Sequence, residues 1–128
     1  MYDVAVIGGG PGGCRAAGLA ARRGLKTVLF EWEELGGVCL NYGCIPIKLL
    51  LHAARMYEAL QFEAPQFGID AEGFRWDFET LWKRKERTVA RLRAALRQRL
   101  QAAGVELVNA EAAVESKLPG GFCIEAGG

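Results

Sequence analysis

Histidine is almost absent from this chain: its 128 residues hold one, His52. A zinc site needs about four nitrogen, oxygen or sulfur ligands close together. One histidine and four cysteines, with no second cysteine pair nearby, argue against metal binding. Net charge is also scarce, +1 at pH 7, so charge balance neither demands nor excludes a charged partner. No stretch approaches the ~18 apolar residues of a membrane span. The apolar run Val4 to Ile7 is too short for the core of a signal peptide, and Met1-Tyr2-Asp3 lacks its basic flank. The expected setting is cytoplasmic, with no membrane partner. There thiols are mostly reduced, and disulfides tend to be catalytic.

The remaining composition, 51% hydrophobic and 24% charged, is ordinary for a globular chain. The length predicts one domain, able to bury about two-thirds of the surface its unfolded chain exposes. Glycine is abundant at 17 residues, and Gly8, Gly9, Gly10, Gly12, Gly13 and Gly18 are concentrated near the start.

Tyr2 to Gly8 (YDVAVIG) is an apolar, β-branched run suited to a buried parallel strand. Pro11 opens a helix that stops near Gly24. Lys26 to Glu31 (KTVLFE) is a second strand, which completes a β-α-β unit with parallel neighbours. Ile45 to about Leu60 has helical spacing, with Leu49, Leu50, Ala53, Ala54, Tyr57 and Leu60 as its apolar stripe. Phe62 to Arg75, with proline and glycines, reads as a loop. Asp77 is the expected N-cap of a long helix ending near Gly104, with Phe78, Leu81, Trp82, Val89, Leu92, Leu96 and Leu100 on its inner face. Val105 to Val108 follows as a third strand of the same sheet, and Ala112–Val114 with Phe122–Glu125 as a hairpin around Pro119-Gly120-Gly121. The fold class is α/β and Rossmann-like.

Gly8, Gly10 and Gly13 give G-x-G-x-x-G. The first glycine allows a tight turn, the second lets the backbone approach a pyrophosphate, and the third permits close helix-strand packing. The motif follows a strand, opens a helix, and precedes an acid, Glu31, at the end of the next strand, which is the context it requires. The amides at the helix start then face the phosphates. Glu31 suits a ribose diol, whereas Glu33 and Glu34 read as solvent-exposed acids.

Cys39 and Cys44 stand in GGVCLNYGCIPIK, Gly36 to Lys48, with four residues between them. Three readings compete: a metal site, a structural disulfide closing a tiny loop that stabilises little, and a redox pair, which fits best. Cys44 precedes Pro46 at a helix N-terminus, where the dipole favours a thiolate. Cys39, expected on the preceding loop, reads as the more accessible thiol. Cys14 and Cys123 read as buried small residues. Lys48, in the first helical turn, is either solvated or paired with a flavin ring atom or a carboxylate, since the dipole disfavours a cation there. His52 reads as a packing or surface residue. Eight of the 16 basic residues fall between Lys83 and Arg99. They lack the interleaved aromatics of a nucleic-acid surface. A solvated helix face is the leading reading, and contact with an acidic partner domain the alternative.

GGGPGG, KTVLFE and GGVCLNYGCIPIK together resemble the flavin-dependent pyridine nucleotide-disulfide oxidoreductases, and the resemblance runs in order along the whole chain. The dihydrolipoamide dehydrogenase branch is nearest; mercuric and glutathione reductases share the cysteine spacing. The resemblance implies FAD at Gly8, Gly10, Pro11, Gly12 and Gly13, with NAD as co-substrate of the intact enzyme. Glu31 would hold the adenosine ribose and Trp32 would lie on the adenine side. Gly36, Gly37, Val38 and Cys39 would line the flavin, Lys48 would lie beside its reactive nitrogen, and the backbone of Ala112 would touch the adenine. Cys44 would face the flavin in a charge-transfer contact, and Cys39 would exchange with substrate. Ile47, Cys14 and Tyr42 depart from the small or polar residue, tyrosine and valine usual in the family, without removing a group the chemistry needs.

Family members are longer. The resemblance therefore implies that residues 1–128 are a partial N-terminal FAD-binding domain, ending at Gly127-Gly128 without a closing strand. The nicotinamide domain is not within it. Nor is the interface domain that supplies a His-Glu pair across a homodimer. The intact enzyme would oxidise dihydrolipoamide, a lipoyl-bearing substrate, within 2-oxo acid dehydrogenase complexes. The alternatives are a related reductase acting on another small disulfide or metal, or a non-catalytic nucleotide-binding module.

Overall fold

The fold is known from a computed structural model, which describes residues 1–127. Three short parallel strands form the centre, in the order β1 (Val4–Ile7), β2 (Thr27–Phe30), β3 (Val105–Val108). Val4, Thr27 and Val105 lie abreast, as do Val6, Leu29 and Leu107. Because side chains alternate along a strand, these two rows share one face. On that face pack α1 (Pro11–Arg22) and α4 (Phe78–Ala102). Cys14 and Ala17 from α1, Leu100 from α4, Leu29, Leu35 and Val105 form the core, with Val6, Ala21, Leu96 and Leu107 against it. Burying a side chain such as Leu29 contributes about 1.5–3 kcal/mol. On the opposite face Ile7 remains 46% exposed.

The helix ends obey local chemistry. Pro11 is the first residue of α1, where a missing N–H costs nothing. Gly24, with φ of +84°, turns the chain out of it into β2. Asp77 caps α4 as expected: its carboxylate accepts from the Thr80 amide at 3.0 Å and from the Thr80 hydroxyl at 2.6 Å. The hairpin also forms, as β4 (Glu111–Leu118) and β5 (Gly121–Gly127), antiparallel and longer than the sequence suggests. Gly128 lies outside the described residues.

Four expectations need correction. First, α2 (Gly37–Asn41) is a short helix and α3 (Cys44–Glu58) begins at the second cysteine. Cys39 is therefore helical rather than on a loop, and Lys48 stands in the second turn rather than the first. Second, the chain after Glu58 stays helical through a wide turn (Ala59–Glu63) and a 3-10 turn (Ala64–Phe67). Pro65 opens that 3-10 turn instead of breaking it, since proline is tolerated in a first turn. The loop starts at Gly68 and is held by Tyr57, whose ring meets Phe74 and Trp76 edge-on at 4.9 and 5.4 Å.

Third, the apolar stripes are only partly covered. Leu60, Phe78 and Trp82 are exposed, and Pro46 is the one buried residue of α3. Conversely, Lys85 is buried, with its ammonium 3.5 Å from the centre of the Trp82 ring and paired with Glu86. Cys123 is half-buried rather than buried. Fourth, the helical run Gly37–Phe67 contains a window of mean hydropathy 1.3, long and apolar enough to cross a membrane by length and composition. The sequence reading missed it because no single run is unbroken. Its longest regular helix, α3, has 15 residues, on the order of 22 Å, short of the ~30 Å of a hydrocarbon core.

Candidate functional site

The glycine loop joins β1 to α1 and is shaped by what its glycines touch. Gly8 has φ of +98°, a left-handed conformation that favours glycine. A Cβ on Gly13 would fall 1.9 Å from the Gly8 carbonyl oxygen, so only glycine lets the helix approach the strand this closely. By contrast, a Cβ on Gly10 or Gly12 would meet nothing within 4 Å. Gly10 caps α1 without a side-chain acceptor, and the first turn of α1 carries no acid. Its orphan amides therefore have no intramolecular side-chain partner and open onto free space, a setting that suits an anion. These residues fit the pyrophosphate of a dinucleotide.

Gly9, which the sequence reading passed over, is the hub of this region. Its amide donates to Glu31 Oε2 at 2.7 Å, and its carbonyl accepts from the Gly36 amide at 2.7 Å and the Cys14 thiol at 2.9 Å. A Cβ there would crowd Leu35 at 2.8 Å and Glu31 at 3.0 Å. Glu31 is thereby fixed beside the glycine loop, with its Oε1 accepting from the Glu33 amide at 2.9 Å. A carboxylate offers about four acceptor sites, so two such bonds leave capacity for a diol. Trp32, 70% exposed, stands next to it. Burial pushes the Cys14 thiol up from its ordinary pKa, which keeps it protonated as the donor to Gly9.

The same hub ties the cysteine segment to the glycine loop. Gly36 and Gly37 both have positive φ, +102° and +56°. A Cβ on Gly37 would come 3.0 Å from Gly10 Cα, so the two loops touch. α2 and α3 then follow, and Cys39 and Cys44 form a disulfide with their Cα atoms 4.7 Å apart, inside the usual range. Contrary to the expectation from loop placement, Cys39 is half-buried and Cys44 is exposed at the first turn of α3. That turn has no acid, and the helix dipole there favours Cys44 as a thiolate when the bond opens. Lys48 and His52 follow Cys44 at intervals of four, on the same exposed side of α3. Val38 is exposed. Ala112 lies apart on β4, half-buried opposite Ala126, on a hairpin that is not part of the three-stranded sheet.

Sequence reasoning also missed Asn41 and Arg93. Asn41 is buried between the cysteines, and its amide group donates to the carbonyls of Glu34, Leu35 and Gly37 at 3.3, 3.2 and 2.9 Å. Its carbonyl oxygen accepts from Arg93 Nε and Nη2 at 3.1 and 2.9 Å, while Arg93 Nη1 meets Glu34 at 2.7 Å. Thus Glu34 is not a free acid, and one arginine of the basic helix is not solvated. Glu33 pairs with the Tyr42 hydroxyl at 2.8 Å. Asn41→Ala is expected to destabilise the protein by about 2–3 kcal/mol, because it strands several buried polar groups at once. Urea unfolding of the variant against the parent measures this, and a loss below about 0.5 kcal/mol would refute the bracing role.

The arrangement can hold a dinucleotide and open and close a disulfide beside it. Comparisons with known proteins agree. A family model for pyridine nucleotide-disulphide oxidoreductases matches residues 2–124. The chain is 39% identical over 131 residues to dihydrolipoyl dehydrogenase of Bacillus subtilis (strain 168), covering 98% of this chain and 27% of that protein. It is 47% identical over 95 residues to dihydrolipoyl dehydrogenase of Chlamydia trachomatis serovar D, covering 74% of this chain and 20% of that protein. It therefore spans about a quarter of the length of the Bacillus subtilis relative. Among solved structures, it resembles the copper(II) complex of the HOCl-induced flavoprotein disulfide reductase RclA from Escherichia coli. The TM-score is 0.66 at 27% identity, over 84% of this chain and 22% of that one. The glycine loop, the disulfide and these likenesses lead to one conclusion: the chain belongs to the pyridine nucleotide-disulfide oxidoreductase family, whose members use a flavin and a nicotinamide nucleotide.

Proposed function

We propose that residues 1–128 are the N-terminal, FAD-binding part of a dihydrolipoamide dehydrogenase-like enzyme. In the intact protein a dihydrolipoyl group is oxidised to its cyclic disulfide, with NAD as final acceptor. The observation that carries this reading is that Gly9, beside an uncapped, glycine-lined helix N-terminus, bonds through its carbonyl to Gly36 at the start of the Cys39–Cys44 segment and through its amide to Glu31. The names of the two dehydrogenase relatives support the substrate class.

On this reading Gly8, Gly10, Pro11, Gly12 and Gly13 hold the pyrophosphate of FAD, and Glu31 its ribose, with Trp32 near the adenine. Ala112 reaches the adenine through its backbone. Gly36, Gly37, Val38, Cys39 and Lys48 line the ring system. When bound, the flavin carries electrons between the dithiol and the nicotinamide. The chain's own residues do the sulfur chemistry. A substrate thiolate attacks Cys39 Sγ and Cys44 leaves as a thiolate, stabilised by the α3 dipole. The second substrate thiolate then attacks the mixed disulfide at the substrate sulfur and frees Cys39. The full-length protein acts as a homodimer in the cytoplasm, alone or with 2-oxo acid dehydrogenase subunits.

The test is an absorbance spectrum of the purified full-length protein, with the released cofactor identified by mass. The expected results are a flavin band, the mass of FAD, and a long-wavelength band on partial reduction with dithionite. A colourless protein, or one holding a flavin whose spectrum ignores the dithiol, would sink the proposal.

A further inference from the structure

Cys39 and Cys44 belong to different helices, and the helix that carries Cys39 has little of its own to hold it. α2 has five residues, far below the roughly 12–15 at which an isolated helix is even marginal in water. Its N-cap, Gly36, offers no side-chain acceptor, and its buried residue is the amide Asn41 rather than an apolar side chain. The start of α2 is tied through the Gly36 amide to Gly9. Asn41 ties its other end, inside the ring that the disulfide closes. The Asn41 amide group reaches back to the carbonyls of Glu34, Leu35 and Gly37. The placement of Cys39 therefore depends on how the Asn41 side chain is held. Arg93 of α4 holds it, giving Nε and Nη2 to the Asn41 oxygen and Nη1 to the Glu34 carboxylate. A further tie in the ring, Tyr42 to Glu33, is exposed, so water competes for both groups. Beside the Arg93 bridge lies a hollow of about 380 Å³, edged by Pro46, Leu50, Trp82 and Val89 and reaching both Asn41 and Arg93. Apolar packing is therefore thin where the bridge stands.

We propose that Arg93 is a positioning residue for the dithiol-disulfide reaction: acting through Asn41, it keeps the two thiols of the reduced protein within bonding reach and so sets how readily the Cys39–Cys44 bond closes. The inference rests on the reading of Cys39–Cys44 as an exchanging pair. The bridge and the disulfide favour each other. With the bond closed, the ring is already narrow and Asn41 stands where Arg93 needs it. With the bond open, the bridge must itself hold α2 against the freedom of the chain. Arg93 therefore holds the oxidised form more tightly, and by reciprocity its presence favours closure. When a substrate dithiol reduces the pair, the Cys39–Cys44 bond breaks and the substrate's own S–S bond forms. Two electrons and two protons pass from the substrate to the cysteines. Loss of Arg93 makes that reduction more favourable and the reclosure of the pair less so.

The experiment equilibrates the full-length protein, without oxygen or nicotinamide nucleotide, in mixtures of reduced and oxidised dithiothreitol. Thiols are trapped by alkylation, and the mass of the peptide carrying Cys39 and Cys44 gives the oxidised fraction. The readout is the constant for closing the bond against dithiothreitol. Arg93→Ala is expected to lower that constant by about tenfold, which for two electrons is about 30 mV toward a more oxidising pair. Arg91→Ala removes the same charge from an exposed side of α4 and is expected to change the constant by less than about twofold. In an Asn41→Ala background, Arg93→Ala is expected to add less than about twofold, because its partner is gone. A merely structural role would lower the stability to urea and leave the constant of the folded protein unmoved. An unchanged constant in Arg93→Ala, an equal fall in Arg91→Ala, or the full fall in the Asn41→Ala background overturns the proposal. Should Arg93→Ala fail to fold, Arg93→Lys decides. An ammonium cannot give the paired bonds of a guanidinium, so the constant is expected to fall by at least about threefold, and a constant equal to the parent's overturns the proposal. If the parent's pair stays oxidised in every mixture, the exchanging-pair reading itself falls. If it titrates and ignores Arg93, only the role of Arg93 falls.

Discussion

Cys44→Ser in the full-length protein is expected to lower dithiol-disulfide turnover by more than about a thousandfold. Serine can neither close a bond to Cys39 nor leave as a thiolate, so the substrate's two electrons have no acceptor on the protein. The fold should survive. The disulfide spans a sequence separation of 5, and so short a loop lies at the low end of disulfide stabilisation. Asn41, Gly36 and Gly9 continue to hold α2 in place. Cys123→Ser, on the hairpin, is the companion variant and should turn over like the parent. Activity in Cys44→Ser within about tenfold of the parent would show that the pair does not carry the reaction.

Gly13→Ala is the second large effect, and it acts on stability. The added methyl would sit 1.9 Å from the Gly8 carbonyl oxygen and 3.2 Å from Val6 Cγ1. The nearest atom belongs to the backbone at the end of a core strand and cannot rotate away. Overpacking of this kind costs about 1–3 kcal/mol, occasionally more, and here it also separates α1 from β1. Gly12→Ala is the informative contrast, because its methyl meets nothing within 4 Å. The contrast variant should unfold within about 0.5 kcal/mol of the parent and yet lose flavin, since the methyl occupies the space proposed for the pyrophosphate. Urea unfolding of the apoprotein and flavin content of the purified protein give the two readouts. Equal stability of Gly13→Ala and the parent would contradict the close approach.

Much of this was legible because it is local. The G-x-G-x-x-G loop announces itself through conformational needs within six residues, and the structure shows the first and the third, the positive φ of Gly8 and the close contact at Gly13. The Asp77 cap is equally local, acting on Thr80 three residues on. The parallel pairing of β1 and β2 follows from two short apolar runs joined at the length of a helical crossover. The proline signal at Pro65 misled because proline punctuates a chain in two ways, ending one helix or opening the next turn.

Arg93 shows where such reading stops. It is one of many basic residues on α4, and the helical period places it near the inner stripe. Nothing local says that Asn41 and Glu34, 52 and 59 residues away, wait to receive it. Lys85 is a mixed case: its ammonium over Trp82 is a contact three residues back on the same helix, but its burial is written only in how α4 packs. Cys39 reads as accessible from its place before a helix, yet it lies in a short helix of its own and is half-buried.

By itself, then, the sequence determined the kinds of chemistry: a dinucleotide loop, a thiol pair at a helix start, and an acid at a strand end. These depend on residue type and spacing, which the chain carries directly. Only the tertiary structure decided that Gly9 joins all three, that Asn41 and Arg93 brace the cysteine segment, and that Cys39 is half-buried while Cys44 is exposed. Those facts depend on which faces of distant segments meet, and packing on a common core settles that, not spacing along the chain.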